Sequence, residues 1–221
     1  MKKATIISTA IICICFFAAD ANAQTTTTTV GTAGRTTFGI QAGVNFYNIN
    51  GKDASGTKLD YKLKTGFTGG VNAEIPLAPE FYFQPGIMYN SKGAKVNTTN
   101  GTATYNLNYI DVPLNLLFKP ALPTGSVLLG FGPYVGYGIG GKVKDAGVDT
   151  DVKFKKNAGT DPNTVYFKPL DAGINLLAGY QFMNGLSAQL NAQLGVVNTN
   201  AYGNSAKTHN TGFGVSLGYR F

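Results

Sequence analysis

Residues 211–221 read T-G-F-G-V-S-L-G-Y-R-F and end the chain in strict alternation. The apolar side chains occupy every second position: Phe213, Val215, Leu217, Tyr219 and Phe221. This period of two predicts a β-strand with one face in an apolar medium and the other in a polar one. An aromatic strand at a chain end would be an open edge that invites pairing with other chains, whereas a closed membrane barrel removes that edge and turns the apolar face to lipid. The stretch therefore predicts a transmembrane β-barrel.

The start of the chain has the features of a secretory signal peptide. Lys2 and Lys3 form a positive n-region, residues 4–18 form an apolar h-region, and Ala21-Asn22-Ala23 is an A-x-A cleavage site. The apolar run is shorter than the roughly 20 residues that a membrane-spanning helix needs. We therefore expect export and removal of residues 1–23.

The composition of the remaining chain limits its class. Cys13 and Cys15 leave with the signal, so no disulfide is expected, and loss of Lys2, Lys3 and Asp20 lowers the formal charge from +7 to +6. The lysines are scattered, apart from a small cluster at positions 153, 155 and 156, so no nucleic-acid partner is expected. No apolar run after the signal reaches 18 residues, which argues against a helical membrane span.

Glycine and aromatic content also favours β structure. The chain has 29 Gly, 14 Phe, 12 Tyr and no Trp, and 13% of its residues are charged. Its mean hydropathy is −0.01, as expected when lipid-facing and lumen-facing positions average out. Residues 24–36 are rich in Thr and lack periodicity, which predicts a flexible periplasmic lead-in. Residues 37–221 are predicted to form one barrel domain.

Period-two alternation predicts eight strands in that domain. Their approximate ranges are 37–49, 63–75, 81–90, 103–118, 126–140, 166–182, 186–197 and 211–221. The connections alternate between long polar loops and short turns, as in outer-membrane barrels with long extracellular loops. Long polar loops are predicted at 91–102 and at 141–165, and the second of these is the longest. This arrangement predicts an all-β, eight-stranded antiparallel up-and-down transmembrane barrel with both termini periplasmic.

Two features of the predicted strands are irregular. The apolar positions of the fourth strand change phase near Tyr109-Ile110, which predicts a β-bulge there or a loop hairpin ending there. Proline removes a ladder donor and usually marks a strand edge, yet four prolines fall within the predicted strands. They are Pro85, Pro113, Pro133 and Pro169, and the sequence offers no physical reason for them.

Three segments together resemble the small outer-membrane-protein β-barrel family, often labelled the porin family, over the whole length after the signal. They are residues 218–221 (G-Y-R-F), residues 109–114 (Y-I-D-V-P-L) and residues 171–175 (D-A-G-I-N). The resemblance implies an integral protein of the Gram-negative outer membrane. It also implies that Tyr219 and Phe221 form a signal read by the barrel-assembly machinery. A soluble lipocalin-like barrel or sandwich would need an apolar interior, whereas the inward faces here are Gly, Asn, Gln, Thr and Ser.

Charged residues in the lumen are the main candidate site. By parity Glu74, Asp111, Asp171 and Arg220 point inward, where an unpaired charge is costly. Glu74 and Arg220 both fall near the periplasmic end, on strands separated by the first strand alone. We therefore predict that they pair, within a hydrogen-bonded plug that also contains Gln41, Asn72 and Gln181.

The residues that could support catalysis or metal binding are few. His209, predicted in the last loop, is followed two residues later by Thr211, whereas a lipid-A-deacylating barrel enzyme resembles a His followed by Ser, with an orienting acid. The aspartates at 145, 149 and 151 lack the D-x-D-x-D-G spacing of a calcium loop. We expect no enzyme activity, metal or cofactor. The lysines at 153, 155 and 156 could meet lipopolysaccharide phosphates.

The number of strands narrows the function. Eight strands enclose an interior just wide enough for its own side chains, so the wide channel of a 16-stranded porin is excluded. The first hypothesis is a non-enzymatic scaffold that presents four surface loops for structural, adhesion or ligand-contact roles. The alternative is a narrow pore for small solutes, favoured by lumen glycines such as Gly130, Gly132, Gly212 and Gly214. A lipid-modifying enzyme is the least favoured hypothesis, and the sequence does not identify a surface ligand.

Overall fold

The computed structural model describes residues 34–99 and 101–221. The predicted signal peptide (1–23) and most of the predicted lead-in (24–36) lie outside these residues. Within the described part of the chain, no helix is long and apolar enough to cross a membrane.

The described residues form eleven β-strands. Their bounds are β1 Thr37–Lys52, β2 Lys64–Ala78, β3 Phe81–Thr98, β4 Gly101–Phe118, β5 Ala121–Leu122, β6 Gly125–Asp145, β7 Val148–Phe154, β8 Thr164–Phe167, β9 Leu170–Phe182, β10 Leu186–Gly195 and β11 Lys207–Arg220.

Eight of these strands close into a ring. The order around the ring is β1, β2, β3, β4, β6, β9, β10 and β11, and every neighbouring pair is antiparallel. The last strand pairs with the first from Gly39↔Arg220 to Lys52↔Lys207, so the C-terminal strand closes the barrel. The predicted eight-stranded up-and-down barrel is confirmed.

The two faces of the closing strand follow the alternation of its sequence. Phe213, Val215 and Leu217 are exposed on the outside, whereas Gly214 and Ser216 are buried in the interior. The other ring strands repeat this pattern, with apolar side chains outside and mainly polar ones inside. Aromatic pairs flank the apolar band. At the short-turn end Phe81 packs on Phe118 and Tyr219 on Phe221. At the opposite end, which is predicted to face outward and is called the outer end below, Phe46 packs on Phe213 and Phe67 on Tyr89.

The outer end is more ordered than predicted. Strands β3 and β4 continue as a regular hairpin to Thr98↔Gly101, so the prediction of a loop at 91–102 is wrong. Strand β6 runs to Asp145, β7 lies inside the loop predicted at 141–165, and β8 begins inside it, at Thr164. The sixth barrel strand, β9, begins at Leu170 rather than at 166. These stretches alternate polar and apolar residues weakly, because water-facing strands above the membrane need no lipid-facing row.

The predicted irregularity in the fourth strand is present in a different form. The β4–β6 register shifts between Asn108 and Tyr109, and the extra residue, Ile139, lies on β6. The odd positions of β4 point inward along its whole length, so its faces do not flip. Leu107 and Tyr109 are apolar and inward because the interior itself becomes apolar at this height.

Three of the four prolines lie at one level of the barrel. Pro85, Pro113 and Pro133 lie on consecutive strands β3, β4 and β6, and the β3–β4 pairing is interrupted between Pro85↔Leu114 and Met88↔Asp111. The missing ladder donors are therefore grouped in one patch instead of weakening separate parts of the sheet. Pro169 lies between β8 and β9, so its assignment to a strand was wrong.

Candidate functional site: the barrel lumen

The short-turn end of the lumen, which is predicted to be periplasmic, holds a cluster of three charged side chains, called the periplasmic cluster below. One Glu74 carboxylate oxygen lies 2.8 Å from an Arg220 guanidinium nitrogen, and the other lies 2.7 Å from Lys119 Nζ. Glu74 is 1% exposed, while the Lys119 and Arg220 side chains are 13% and 10% exposed. Two cations therefore neutralise one buried carboxylate and still reach water.

Amide side chains complete this periplasmic cluster. Gln84 donates a hydrogen bond to Glu74, and Lys119 donates one to the Gln181 side-chain oxygen at 3.1 Å. Arg220 donates to the Asn72 side-chain oxygen, and the Asn72 amide donates to Gln41 at 3.3 Å. The structure thus brings together Glu74, Arg220 and the three polar residues expected beside them, namely Gln41, Asn72 and Gln181.

Lys119 is a member of this cluster that sequence reasoning missed. It follows the last residue of β4 and was assigned to a short turn. Its backbone N–H donates to the Glu80 carbonyl at 2.7 Å, which continues the strand pairing by one residue. Its position is in phase with the inward residues Asn115 and Leu117. This alternation was the feature of the sequence that could have placed Lys119 in the lumen.

A second charged cluster lies nearer the outer end. Lys92 Nζ lies 2.9 Å from Asp111 Oδ2 and 3.0 Å from Asp171 Oδ2, and all three side chains are 0% exposed. Asn90 donates to Asp111 at 2.7 Å, and Asn210 donates to Asp171 at 3.0 Å. One cation therefore holds two carboxylates, so Asp111 and Asp171 belong to one site.

Tyrosine rings surround the ammonium group of Lys92. Its Nζ lies 4.6 Å from the ring centre of Tyr134, 5.0 Å from that of Tyr109 and 5.5 Å from that of Tyr47. Rings at this distance attract a cation through their negatively charged faces, and the attraction is stronger away from water. The Tyr47 hydroxyl in turn donates to Gln193 on β10, two strands away around the ring.

Lys92 was missed because it lay in a predicted loop. It actually extends β3, in phase with the inward residues Met88 and Asn90. The sequence shows that Lys92 follows the inward residue Asn90 by two positions, but its partners lie 19 and 79 positions away along the chain. The fold is needed to find them.

An apolar cluster caps the lumen above Lys92. Its fully buried members come from the extended strand ends: Ile49, Ala94, Ala103, Leu107, Tyr109, Val143, Val152 and Phe167. Tyr61, Tyr105, Phe154 and Val165 pack against them. This apolar cap covers the outer charged cluster with side chains from β1, β3, β4, β6, β7 and β8, including the segments predicted to be loops.

The space between the two charged clusters is small. A cavity of about 50 Å³ is lined mainly by amides, among them Asn45, Asn115, Asn175 and Gln193. That volume holds a few water molecules. A second, apolar cluster of Leu117, Leu128 and Leu177 fills part of the same lumen.

Two of the lumen glycines lie in close contact with their neighbours. A Cβ at Gly132 would lie 2.1 Å from the Leu114 carbonyl oxygen, and one at Gly212 would lie 2.5 Å from the Tyr47 ring. These two glycines are required for close approach of neighbouring backbone and large side chains. They therefore provide no open space, whereas a Cβ at Gly130 would meet only ordinary contacts at 3.4 Å or more.

The surface candidates from the sequence are dispersed. His209 lies in β11, opposite Asn50, and not in a loop as predicted. Asp145 accepts a hydrogen bond from Thr98, and Asp149 lies 3.5 Å from Lys142. Among residues 34–99 and 101–221, no group of three or more His, Cys, Asp or Glu side chains is placed to hold a metal.

The cluster at 153, 155 and 156 is mixed with acidic residues. Lys153 is the penultimate residue of β7, which also carries Asp149 and Asp151. Lys155 Nζ lies 5.7 Å from the Tyr166 ring centre. Nearby Asp161 accepts hydrogen bonds from the Thr164 hydroxyl and the Asn163 N–H. These bonds lower the pKa of Asp161 below its ordinary value, and the bond from Thr164 has the larger effect.

The model of the outer membrane protein beta-barrel domain matches residues 22–201. Among curated proteins, none is significantly similar in sequence to this chain.

Several solved structures are similar in fold. Outer membrane protein OprG from Pseudomonas aeruginosa is 12% identical, with a TM-score of 0.52, over 84% of this chain and 95% of OprG. The attachment invasion locus protein Ail of Yersinia pestis, in complex with the heparin analogue sucrose octasulfate, is 15% identical, with a TM-score of 0.43, over 85% of this chain and all of Ail. Neisserial surface protein A is 11% identical, with a TM-score of 0.46, over 85% of this chain and all of that protein. The chain belongs to the outer membrane protein beta-barrel domain family and is an integral protein of the Gram-negative outer membrane.

Proposed function

We propose that this protein is a closed, non-enzymatic barrel that serves as a scaffold for the surface formed by its outer strand ends and loops. The observation that carries the proposal is the pair of charged clusters that block the lumen at two heights. Every charged side chain in them contacts an opposite charge at 3.0 Å or less. A solute would have to break both sets of ion pairs to pass.

The same geometry disfavours catalysis in the lumen. A nucleophile or general base must be within reach of substrate. Asp111, Asp171 and Glu74 are buried and occupied by cations, and the 50 Å³ cavity between them has no room for a lipid or sugar. The role we propose therefore belongs to the outer surface.

We further propose an orientation and partners. A cleaved signal at 1–23 would deliver the chain to the periplasm, both termini would stay there, and the long β3–β4 and β6–β7 hairpins would face outward. Tyr219 and Phe221, exposed at the end of the closing strand, would engage the barrel-assembly machinery. Membrane lipid and lipopolysaccharide would surround the folded barrel.

A narrow pore is the second candidate. The polar cavity in the middle of the lumen favours it, because such a cavity shortens the path that a solute would have to open. This function would require both charged clusters and the apolar cap to rearrange.

Single-channel conductance of the refolded barrel in planar bilayers tests the proposal. We expect no discrete steps from protein whose folding and insertion are verified in the same preparation by protease protection and by the gel-mobility difference between unheated and heated samples. Reproducible steps of uniform size would overturn the closed scaffold and make the pore the leading function.

A further inference from the structure

Three lysines form a cross-strand ladder on the outside of the barrel seam. Lys52 at the end of β1 lies directly opposite Lys207 at the start of β11. Lys58, in the connection after β1, forms an antiparallel bridge with Lys52 on its other side. Directly opposite residues in antiparallel pairs have Cβ atoms about 4.5–5.5 Å apart and share a face. This lysine ladder therefore concentrates three positive charges on one exposed patch.

The ladder lacks acidic partners. None of the ion pairs formed by the described residues includes Lys52, Lys58 or Lys207. The adjacent Asp53 is engaged in its own turn, where one carboxylate oxygen accepts hydrogen bonds from Ser55 and Thr57. Like charges placed directly opposite destabilise a sheet, so an external anion would relieve the repulsion.

The ladder faces sideways toward the membrane rather than along the barrel axis. On β1 it follows the lipid-facing Phe46 in the same phase, and the cross-strand pairs between them are polar, namely Asn48↔Thr211 and Asn50↔His209. Six residues at about 3.3 Å each, with a tilt of about 40°, place Lys52 roughly 15 Å above Phe46. Lysine side chains can extend back toward the interface from that height. The patch thus lies beside the headgroups and inner sugars of outer-leaflet lipid.

We propose that Lys52, Lys58 and Lys207 form a binding site for the phosphate groups of an anionic glycolipid, lipopolysaccharide, with Asn50 and His209 contacting its sugars. The inference deepens the proposed lipopolysaccharide contact, on which it rests, and it is independent of whether the lumen is closed. The site lies on the seam between the first and last strands, and not on the predicted lysine cluster at 153, 155 and 156.

A second basic patch supplies a matched control. Lys142, Lys144 and Lys153 also lie exposed on outward positions of β6 and β7. In the register, however, Lys142 lies opposite Asp151 and Lys144 opposite Asp149. Replacing these three lysines changes the net charge by the same amount while removing a patch that is already partly neutralised.

The test measures lipopolysaccharide binding by full-length mature barrel refolded in zwitterionic detergent. One variant carries Lys52→Gln, Lys58→Gln and Lys207→Gln, and the control carries Lys142→Gln, Lys144→Gln and Lys153→Gln. Each lysine near an anionic surface contributes a factor of about five, so we expect roughly 100-fold weaker binding for the ladder variant. For the control we expect a loss of less than about fivefold. Dephosphorylated lipopolysaccharide should bind the wild type as weakly as phosphorylated lipopolysaccharide binds the ladder variant.

A stability measurement keeps the test valid if folding changes. Without lipopolysaccharide, the ladder variant should unfold at the same or higher temperature than the wild type, because repulsion has been removed. With lipopolysaccharide the wild type should gain more stability than the variant. Equal losses in the two variants would overturn the ladder but leave the lipopolysaccharide contact standing, whereas no binding by the wild type would overturn both. If the lysine ladder bound a soluble sulfated polysaccharide but did not bind lipopolysaccharide, lipopolysaccharide would not be its ligand.

Discussion

The two charged clusters of the lumen contain acidic and basic side chains in opposite ratios. The periplasmic cluster surrounds one carboxylate, Glu74, with two cations whose side chains remain partly exposed. The outer cluster surrounds one cation, Lys92, with two carboxylates, and all three groups are fully buried. The first can exchange its interactions with water, whereas the second cannot.

This difference shows how burial sets the cost of losing one partner. Taking charges out of water is expensive, and breaking a buried pair leaves an uncompensated charge that no solvent relieves. Tyrosine rings and the apolar cap isolate Lys92, so its carboxylates depend on it. The periplasmic cations can recruit water when Glu74 is lost, so the same kind of change should cost less there.

The largest effect is expected from Lys92→Met. It leaves Asp111 and Asp171 buried side by side without a cation, and we expect a loss of about 3–5 kcal/mol in the free energy of unfolding. Urea titration of the barrel in lipid vesicles measures it. Lys95→Met, three residues along the same strand on the outward face, is the control and should cost less than about 0.5 kcal/mol.

Restoration of neutrality sharpens the same experiment. Lys92→Met combined with Asp111→Asn and Asp171→Asn removes all three charges, and most of the lost stability should return. If Lys92→Met costs no more than its control, burial of the outer cluster does not set its energetics and the comparison fails.

Truncation of the apolar cap should have the next largest effect. Leu107 is fully buried above the outer cluster. Leu107→Ala removes buried methyl groups and leaves a cavity, which we expect to cost about 2–4 kcal/mol. Proteolysis of the β3–β4 and β6–β7 hairpins in intact vesicles reports the loosening. Leu114→Ala, on the lipid-facing side of the same strand, should leave proteolysis unchanged, and equal cleavage of the two variants would contradict a role of the cap in ordering these hairpins.

A smaller effect is expected at the periplasmic cluster. Glu74→Ala leaves two cations near water, and we expect a loss of about 1–3 kcal/mol. Arg220→Ala should cost less, because Lys119 continues to hold the other oxygen of Glu74. A urea-unfolding double-mutant cycle with these two changes measures their coupling. Additive losses would show that the 2.8 Å contact does not stabilise the barrel.

Alternation was sufficient to predict the barrel because each ring strand places lipid against one face. The strand ends at the short turns, such as the end of β4 at Phe118 and the start of β10 at Leu186, were predicted correctly. Turns rich in Pro or containing Asn-Gly mark these ends in the sequence. Above the membrane that constraint disappears, so the extensions that carry Lys92 and Val152 were assigned to loops. Parity indicated that Asp111 and Asp171 point inward, but their shared cation lay in one of those extensions.

The smallest effect concerns an exposed carboxylate, Asp161, which serves as a reference for the buried ones. Hydrogen bonds from Thr164 and Asn163 lower its pKa, so the turn they form is stabilised above the ordinary aspartate pKa and loses that stabilisation as pH falls through the lower folded-state pKa. The NMR shift of the Asn163 amide should therefore titrate with a midpoint below the ordinary pKa of an aspartate, without a change in barrel stability. Asp161→Asn should abolish the titration, because an amide does not ionise. A midpoint at or above the ordinary value would mean that these hydrogen bonds do not favour the charged form of Asp161. Local hydrogen bonds would then not explain how this exposed carboxylate stays ionised.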